Sequence, residues 1–220
     1  LWIYLQHISC KESVELIRNA KKDGVDVTAE VTPHHLFMNE NWTYGNQEKL
    51  PKWIDIDSFD TNTRVNPPLR TEEDRLCLID GLIDGTIDII ATDHAPHSKG
   101  EKNNTFDEAP AGINGAETAI LSMITMMKKN ELSLENIVTS LCSNPGSILE
   151  NILGLKIGKI KEGFNADFVS INPDTEVFID EDFFVSKSSN SPLIGKKMKG
   201  AVNMTIFDGK IVYEGNNEKD

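Results

Sequence analysis

Short β-branched runs alternate with amphipathic helices over the first two thirds of this chain, and the long connections follow strands rather than helices. Leu1 to Gln6 reads as a strand. A helix opens at Ser9-Cys10-Lys11-Glu12, carries Val14, Leu16, Ile17 and Ala20 largely on one face, and is ended by Gly24. A second strand, Val25 to Val31, empties into a long loop from Thr32 to about Thr71. The next helix runs from Glu72 to Asp84, with Leu76, Ile79, Leu82 and Ile83 at helical spacing and Gly85 behind it. A third strand, Ile87 to Thr92, leads through another long loop to a helix from about Ala116 to Lys129, where Ile120, Met123, Ile124 and Met127 read as core. This order predicts an α/β fold with a parallel sheet, either an arc of a barrel or an open doubly wound sheet.

Ser133 to Ser143 and Pro145 to Leu153 read as two more helices, the second opened by its proline. Beyond Leu155 the texture changes to short β-rich pieces, Lys156 to Ile160, Ala166 to Ile171, Glu176 to Ile179 and Met204 to Tyr213, separated by turn residues. The expected organisation is a barrel portion over 1–154, a small β-domain over 155–215 and a polar, frayed tail over 216–220. The chain opens directly in a core strand, as the back part of a longer protein would.

A net charge of -13 leaves no basic stripe for phosphates, which argues against nucleic acid. No apolar run approaches the roughly 20 residues of a spanning helix, and no signal peptide leads the chain. Cys10, Cys77 and Cys142 are odd in number and far apart, which suits reduced thiols in a cytoplasm.

The chemistry concentrates at strand ends. Asp93, in Ala91-Thr92-Asp93-His94-Ala95-Pro96-His97, falls where the third strand runs out, and His7 ends the first. In consecutive βα units both converge on the catalytic face of the sheet. A carboxylate and an imidazole are zinc ligands, although two are too few for a complete site. The plainer alternatives are a capping aspartate and a structural histidine. His34 and His35 are adjacent; on an extended backbone only one could face the site, so a supporting role is expected of them. Asn66-Pro67-Pro68-Leu69-Arg70 is stiffened by its prolines, and Asn66 can donate and accept at once, as the edge of a cyclic amide requires, or it is simply a turn residue. Arg70 is expected to pair with Glu72, Glu73 or Asp74. His97 could bind a substrate carboxylate, and the small residues Ala109-Pro110-Ala111-Gly112-Ile113 would let backbone approach a ligand closely.

Taken together, His7-Ile8-Ser9-Cys10-Lys11-Glu12-Ser13, Thr32-Pro33-His34-His35-Leu36, Val65-Asn66-Pro67-Pro68-Leu69-Arg70, Thr92-Asp93-His94-Ala95-Pro96-His97 and Pro110-Ala111-Gly112 resemble the C-terminal part of a class I dihydroorotase of the amidohydrolase superfamily. The likeness continues to Phe184-Val185-Ser186-Lys187-Ser188 and Asn190-Ser191-Pro192. It implies an α/β fold that is the C-terminal part of a (β/α)8 TIM-type metal-dependent hydrolase barrel, with a small β-domain appended. It also implies the zinc-dependent, reversible cyclisation of N-carbamoyl-L-aspartate to (S)-dihydroorotate in pyrimidine synthesis. By the same resemblance His7 and Asp93 are metal ligands, with Asp93 also the catalytic proton carrier. Asn66, His97, Ala111 and Gly112 contact substrate, while His34, His35 and His94 inherit no role. The family's His-x-His pair and further ligands lie on strands this sequence does not contain, so the fragment alone is expected to be inactive. The segment from Asn39 to Asp60 is longer than the family pattern. A homo-oligomer or an association with another pyrimidine-pathway enzyme is compatible with the resemblance. The rival expectations are a dihydropyrimidinase or allantoinase-type hydrolase and a metal-free, dihydroorotase-like scaffold.

Overall fold

The structure, a computed structural model, describes residues 1–215; the tail expected at 216–220 lies outside them. Strand β1 (Ile3–Leu5), helix α1 (Lys11–Lys22), strand β2 (Val27–Val31), helix α4 (Glu72–Ile83) and strand β3 (Ile89–Ile90) form the expected α/β layers. The three strands are parallel in the order β1-β2-β3, with Ile3 opposite Val27 and Glu30 opposite Ile89. Main-chain bonds extend the sheet past the strands: Ile8 N donates to Glu30 O at 2.9 Å and Ala91 N to Val31 O at 3.0 Å. Asp88 reinforces it by accepting from Ala29 N at 2.8 Å and pairing with Lys21 at 2.8 Å.

Helix burial follows shape more closely than the sequence suggests. On α1, Val14 and Ile17 face inward while Leu16 is 71% exposed. On α4 the buried face is Leu78, Ile79 and Leu82, and the expected core residues Leu76 and Ile83 are about half exposed. A capping box between Thr71 and Asp74 starts α4, and Asp74 also accepts from Lys11 N, joining the two helices.

The long loop expected between Thr32 and Thr71 contains two short helices, α2 (Pro33–Phe37) and α3 (Glu40–Tyr44), and a 3₁₀ turn at Thr61–Thr63. Thr32 accepts from His35 N at 3.1 Å and Pro33 occupies the first helical turn, a strong helix start hidden inside an apparent loop. Trp42 and Trp53 of the long segment pack around Phe37. Past β3 come α5 (Lys99–Lys102) and α6 (Ala119–Lys128), where Met123 and Ile124 are buried as expected. α7 (Leu134–Val138) runs through a π-helical turn, Thr139–Ser143, directly into α8 (Asn144–Leu153). The two helices expected there are therefore continuous; Pro145 lacks the N–H for a regular turn, and the wider turn precedes it.

The second sheet is antiparallel: β4 (Phe168–Ile179), β5 (Lys196–Phe207) and β6 (Lys210–Glu214), in that order. β4 joins two pieces expected separately, with irregular pairing around Pro173, which cannot donate to a ladder. Met204 to Tyr213 is a hairpin rather than one piece, turning at Asp208 and Gly209, both at positive φ. Lys156 to Ile160 forms no strand; Gly158 is at positive φ and its Cα packs on Gly146 of α8. Ile179, Phe184, Leu193 and Met198 belong to the same buried cluster as Leu36, Leu78 and Met123, so one core runs beneath both sheets. Gly200 of β5 lies against Ile124 of α6, where a Cβ would come within 3.2 Å. No helix among the described residues is long and apolar enough to cross a membrane, and Cys10, Cys77 and Cys142 are free.

Leu78 is 1% exposed at the centre of this core. Leu78→Ala should lower the unfolding free energy by about 2–5 kcal/mol in a denaturant titration, and a loss below about 1 kcal/mol would show that the cluster is not continuous.

Candidate active site

His7 and Asp93 leave the same end of the parallel sheet from strands flanking β2, and each holds a left-handed backbone, φ 41° and 46°. Non-glycine residues seldom adopt this region, and histidine and aspartate are among the few that tolerate it. A matched kink at two strand ends redirects both side chains where a regular backbone would carry the chain onward. His7 is half-buried and Asp93 exposed. Their chemistry fits a divalent metal such as zinc, but among the described residues no three His, Cys, Asp or Glu side chains are grouped to hold one.

His34 and His35 are helical rather than extended, so both point inward and their rings lie 4.6 Å apart. Thr32 Oγ1 meets His35 Nδ1 at 2.7 Å, and His35 Nε2 lies 3.0 Å from Pro67 O. A carbonyl only accepts, so Nε2 carries the proton and His35 is a neutral ring donating to the proline segment. Asn66, which is exposed, sits beside that anchored carbonyl. Burial pulls the pKa of His35 down to about 4, against the bond to Pro67 O, and His7 adds to the lowering. Burial also holds His34 well below the usual imidazole range, with His35 and His7 contributing, and its Nε2 is buried without a partner among the described residues. Arg70 makes no ion pair among the described residues; Arg75 takes Glu72 at 2.7 Å and Glu131 at 3.0 Å instead.

The second cluster joins His97, Ala111 and Gly112 directly. His97 Nε2 donates to Ala111 O at 3.0 Å. Gly112 N donates to Arg64 O at 2.8 Å, which lays the 110–112 segment beside the chain leading to Asn66. Gly112 has φ 141°, and a Cβ there would stand 2.5 Å from Ala95 Cβ and 3.0 Å from His97 Nε2, so only glycine fits. With Nε2 protonated toward Ala111, a neutral His97 has only an acceptor at Nδ1; gripping a carboxylate through Nδ1 requires the imidazolium.

Three supports were not legible as functional residues in the sequence. Asn190 is 6% exposed, and its Nδ2 donates to Ala95 O and Gly112 O, each at 3.1 Å, while its Oδ1 accepts from His97 N at 2.9 Å. Lys102, also 6% exposed, donates to Pro110 O at 2.9 Å and Gly112 O at 3.1 Å. His94 accepts from Ala116 N at 3.1 Å through Nδ1, so in the neutral ring Nε2 is the donor toward Ser186 Oγ, 3.4 Å away. Asn190 and His94 both lie in runs that carry the family resemblance, which gives neither a role; nothing local marks Lys102.

The amidohydrolase family model matches residues 3–212. The chain is 45% identical over 215 residues to the dihydroorotase of Caldanaerobacter subterraneus subsp. tengcongensis, covering 97% of this chain and 46% of that protein. Among solved structures it superposes on the L-hydantoinase (dihydropyrimidinase) of Arthrobacter aurescens with a TM-score of 0.79 and 28% identity, over 96% of this chain and 44% of that one. The dihydropyrimidinase of Brevibacillus agri gives a TM-score of 0.81 at 22% identity, over 97% and 45%. The chain spans about half the length of the curated relatives it matches.

Between about pH 6.5 and 4 the unfolded chain takes up a proton at His35 that the folded chain refuses, so stability falls as pH falls through this window. Denaturation at successive pH values should show a contribution of about 1.4 kcal/mol per pH unit that His35→Gln removes. An unchanged pH slope in that variant would contradict the buried neutral ring. Separately, Gly112→Ala should break the His97–Ala111 bond, read as a shift of the His97 ring resonances by NMR; an unmoved ring would show that the segment yields elsewhere.

Proposed function

The chain belongs to the amidohydrolase family, and from that premise we propose that it is the C-terminal part of a dihydroorotase, which interconverts N-carbamoyl-L-aspartate and (S)-dihydroorotate in pyrimidine synthesis. Its parallel sheet and flanking helices are an arc of that family's metal-hydrolase barrel. The observation that carries the reading is the paired left-handed backbone at His7 and Asp93, at matching strand ends of a chain 45% identical to a dihydroorotase.

His7 and Asp93 would hold one edge of a zinc site, with the remaining ligands supplied from outside this chain. Bound there, the metal would polarise the ring amide carbonyl and acidify a water. In the hydrolytic direction Asp93 takes the proton from the attacking water and delivers it to the leaving ring nitrogen, acting first as base and then as acid. Asn66, beside the Pro67 carbonyl that His35 anchors, offers a donor and an acceptor to the ring edge. His97, held by the Ala111 carbonyl, would meet the substrate carboxylate. The Ala111-Gly112 backbone would meet the ring, its position set by the close packing of Gly112 on Ala95 and His97 that only glycine permits. Such positioning converts a loose encounter into a reactive one. The free thiols support a cytoplasmic site of action.

The hydantoinase and dihydropyrimidinase likeness, at 22–28% identity, supports the barrel more strongly than their substrates. Assaying the intact protein on dihydroorotate, dihydrouracil and allantoin separates the readings, with dihydroorotate expected to be preferred by at least tenfold in kcat/KM. Asp93→Asn should remove nearly all turnover. Activity within about tenfold of the parent, a difference of some 1.4 kcal/mol in the barrier, would defeat the proton-carrier role.

A further inference from the structure

Three consecutive carbonyls, those of Pro110, Ala111 and Gly112, are each taken by a side chain from elsewhere: Lys102, His97, and Lys102 together with Asn190. Two of these donors have evident reasons to be there. His97 is the proposed substrate contact, and the Asn190 amide satisfies its own buried polar groups by bridging Ala95, His97 and Gly112. Lys102 is different. A buried ammonium is costly unless paired, and no carboxylate among the described residues lies within ion-pair distance of it. Its nitrogen is instead solvated by main-chain oxygens of the segment that lines the proposed site.

We propose that Lys102 is a positioning residue for substrate binding, its ammonium fixing the 110–112 backbone in the position from which Ala111 and Gly112 meet the substrate ring. The proposal rests on the dihydroorotase reading for the identity of that substrate. The charge of Asp60, at the end of the long segment, favours the protonated ammonium, and Thr61 Oγ1, one residue further on, donates to the main-chain oxygen of Lys102 at 2.7 Å. Burial, with Arg64 nearby, pulls the Lys102 pKa down to about 8, which leaves it a cation at neutral pH. The other charged groups around the adjoining cleft of about 480 Å³ are Asp55, Asp57, Lys99, Glu181 and Lys196. The end of the long segment thereby lies against the helix that carries Lys102.

The test compares Lys102→Met and Lys102→Arg in the intact protein. Lys102→Met should raise KM for dihydroorotate at least tenfold while kcat stays within about threefold and metal content is unchanged, and Lys102→Arg should recover part of the loss. Hydrogen exchange at the Gly112 amide, which donates to Arg64 O, should accelerate at least tenfold in Lys102→Met. Unchanged KM and unchanged exchange would overturn the proposal; so would kcat and metal content falling together without a change in KM, the mark of a merely structural lysine. If Lys102→Met does not fold, Asn190→Asp removes the other donor to Gly112 O and should produce the same KM rise, and an unaltered KM there counts against the clamp. Should the parent protein not turn over dihydroorotate at all, the functional reading fails by itself, and exchange at Gly112 still decides whether Lys102 holds the segment.

Discussion

The buried amide of Asn190 is the contact on which the geometry of this molecule turns. Its side chain and main chain together reach Ala95, His97, Gly112 and Asn114, and Ser188 Oγ adds a bond to Oδ1 at 2.6 Å. A primary amide has two donors and an acceptor oxygen, and here both ends are used in a nearly dry environment. Leaving any of these groups unpaired would cost about 1–3 kcal/mol, so the loop after β3, the 110–114 segment and the stretch before β5 are tied to one another. The second sheet is therefore not a passive appendage: the segment leading into it supplies the bolt that holds the loops of the first.

A second constraint is electrostatic. His34 and His35 are buried close to His7, and burial favours their neutral forms. Neutral rings beside His7 place no like charge next to it. The tautomer of His35 is fixed by what it touches, a threonine hydroxyl on one side and the Pro67 carbonyl on the other. That arrangement makes His35, without evident chemistry in the sequence, the support of the asparagine segment. His94 works likewise, tying the residue after Asp93 to Ala116 and toward Ser186.

Much of this was legible in the chain. The strand–helix alternation, Gly24 and Gly85 behind their helices, and the placement of His7 and Asp93 at strand ends are local patterns, and local patterns are what a sequence records well. The errors were local as well, and each has a cause. Thr32-Pro33 is a helix start that looks like a loop opening, so His34 and His35 were expected on an extended backbone. Leu16, Leu76 and Ile83 have core chemistry but project past the edge of the buried face. Pro145 follows a wide turn instead of opening a separate helix.

By itself the sequence determined the class of fold, the order of its elements and the residue types capable of the chemistry, because periodicity, capping and turn residues act over a few positions. Only the tertiary structure decided which of those residues meet. Asn190 and His97 lie 93 positions apart and Asn190 and Gly112 lie 78 apart, and nothing in the composition of either stretch specifies its partner. The buried charge of Lys102 makes the same point, since a lysine in a short polar helix reads as solvated until packing removes its water and leaves two carbonyls as its solvent.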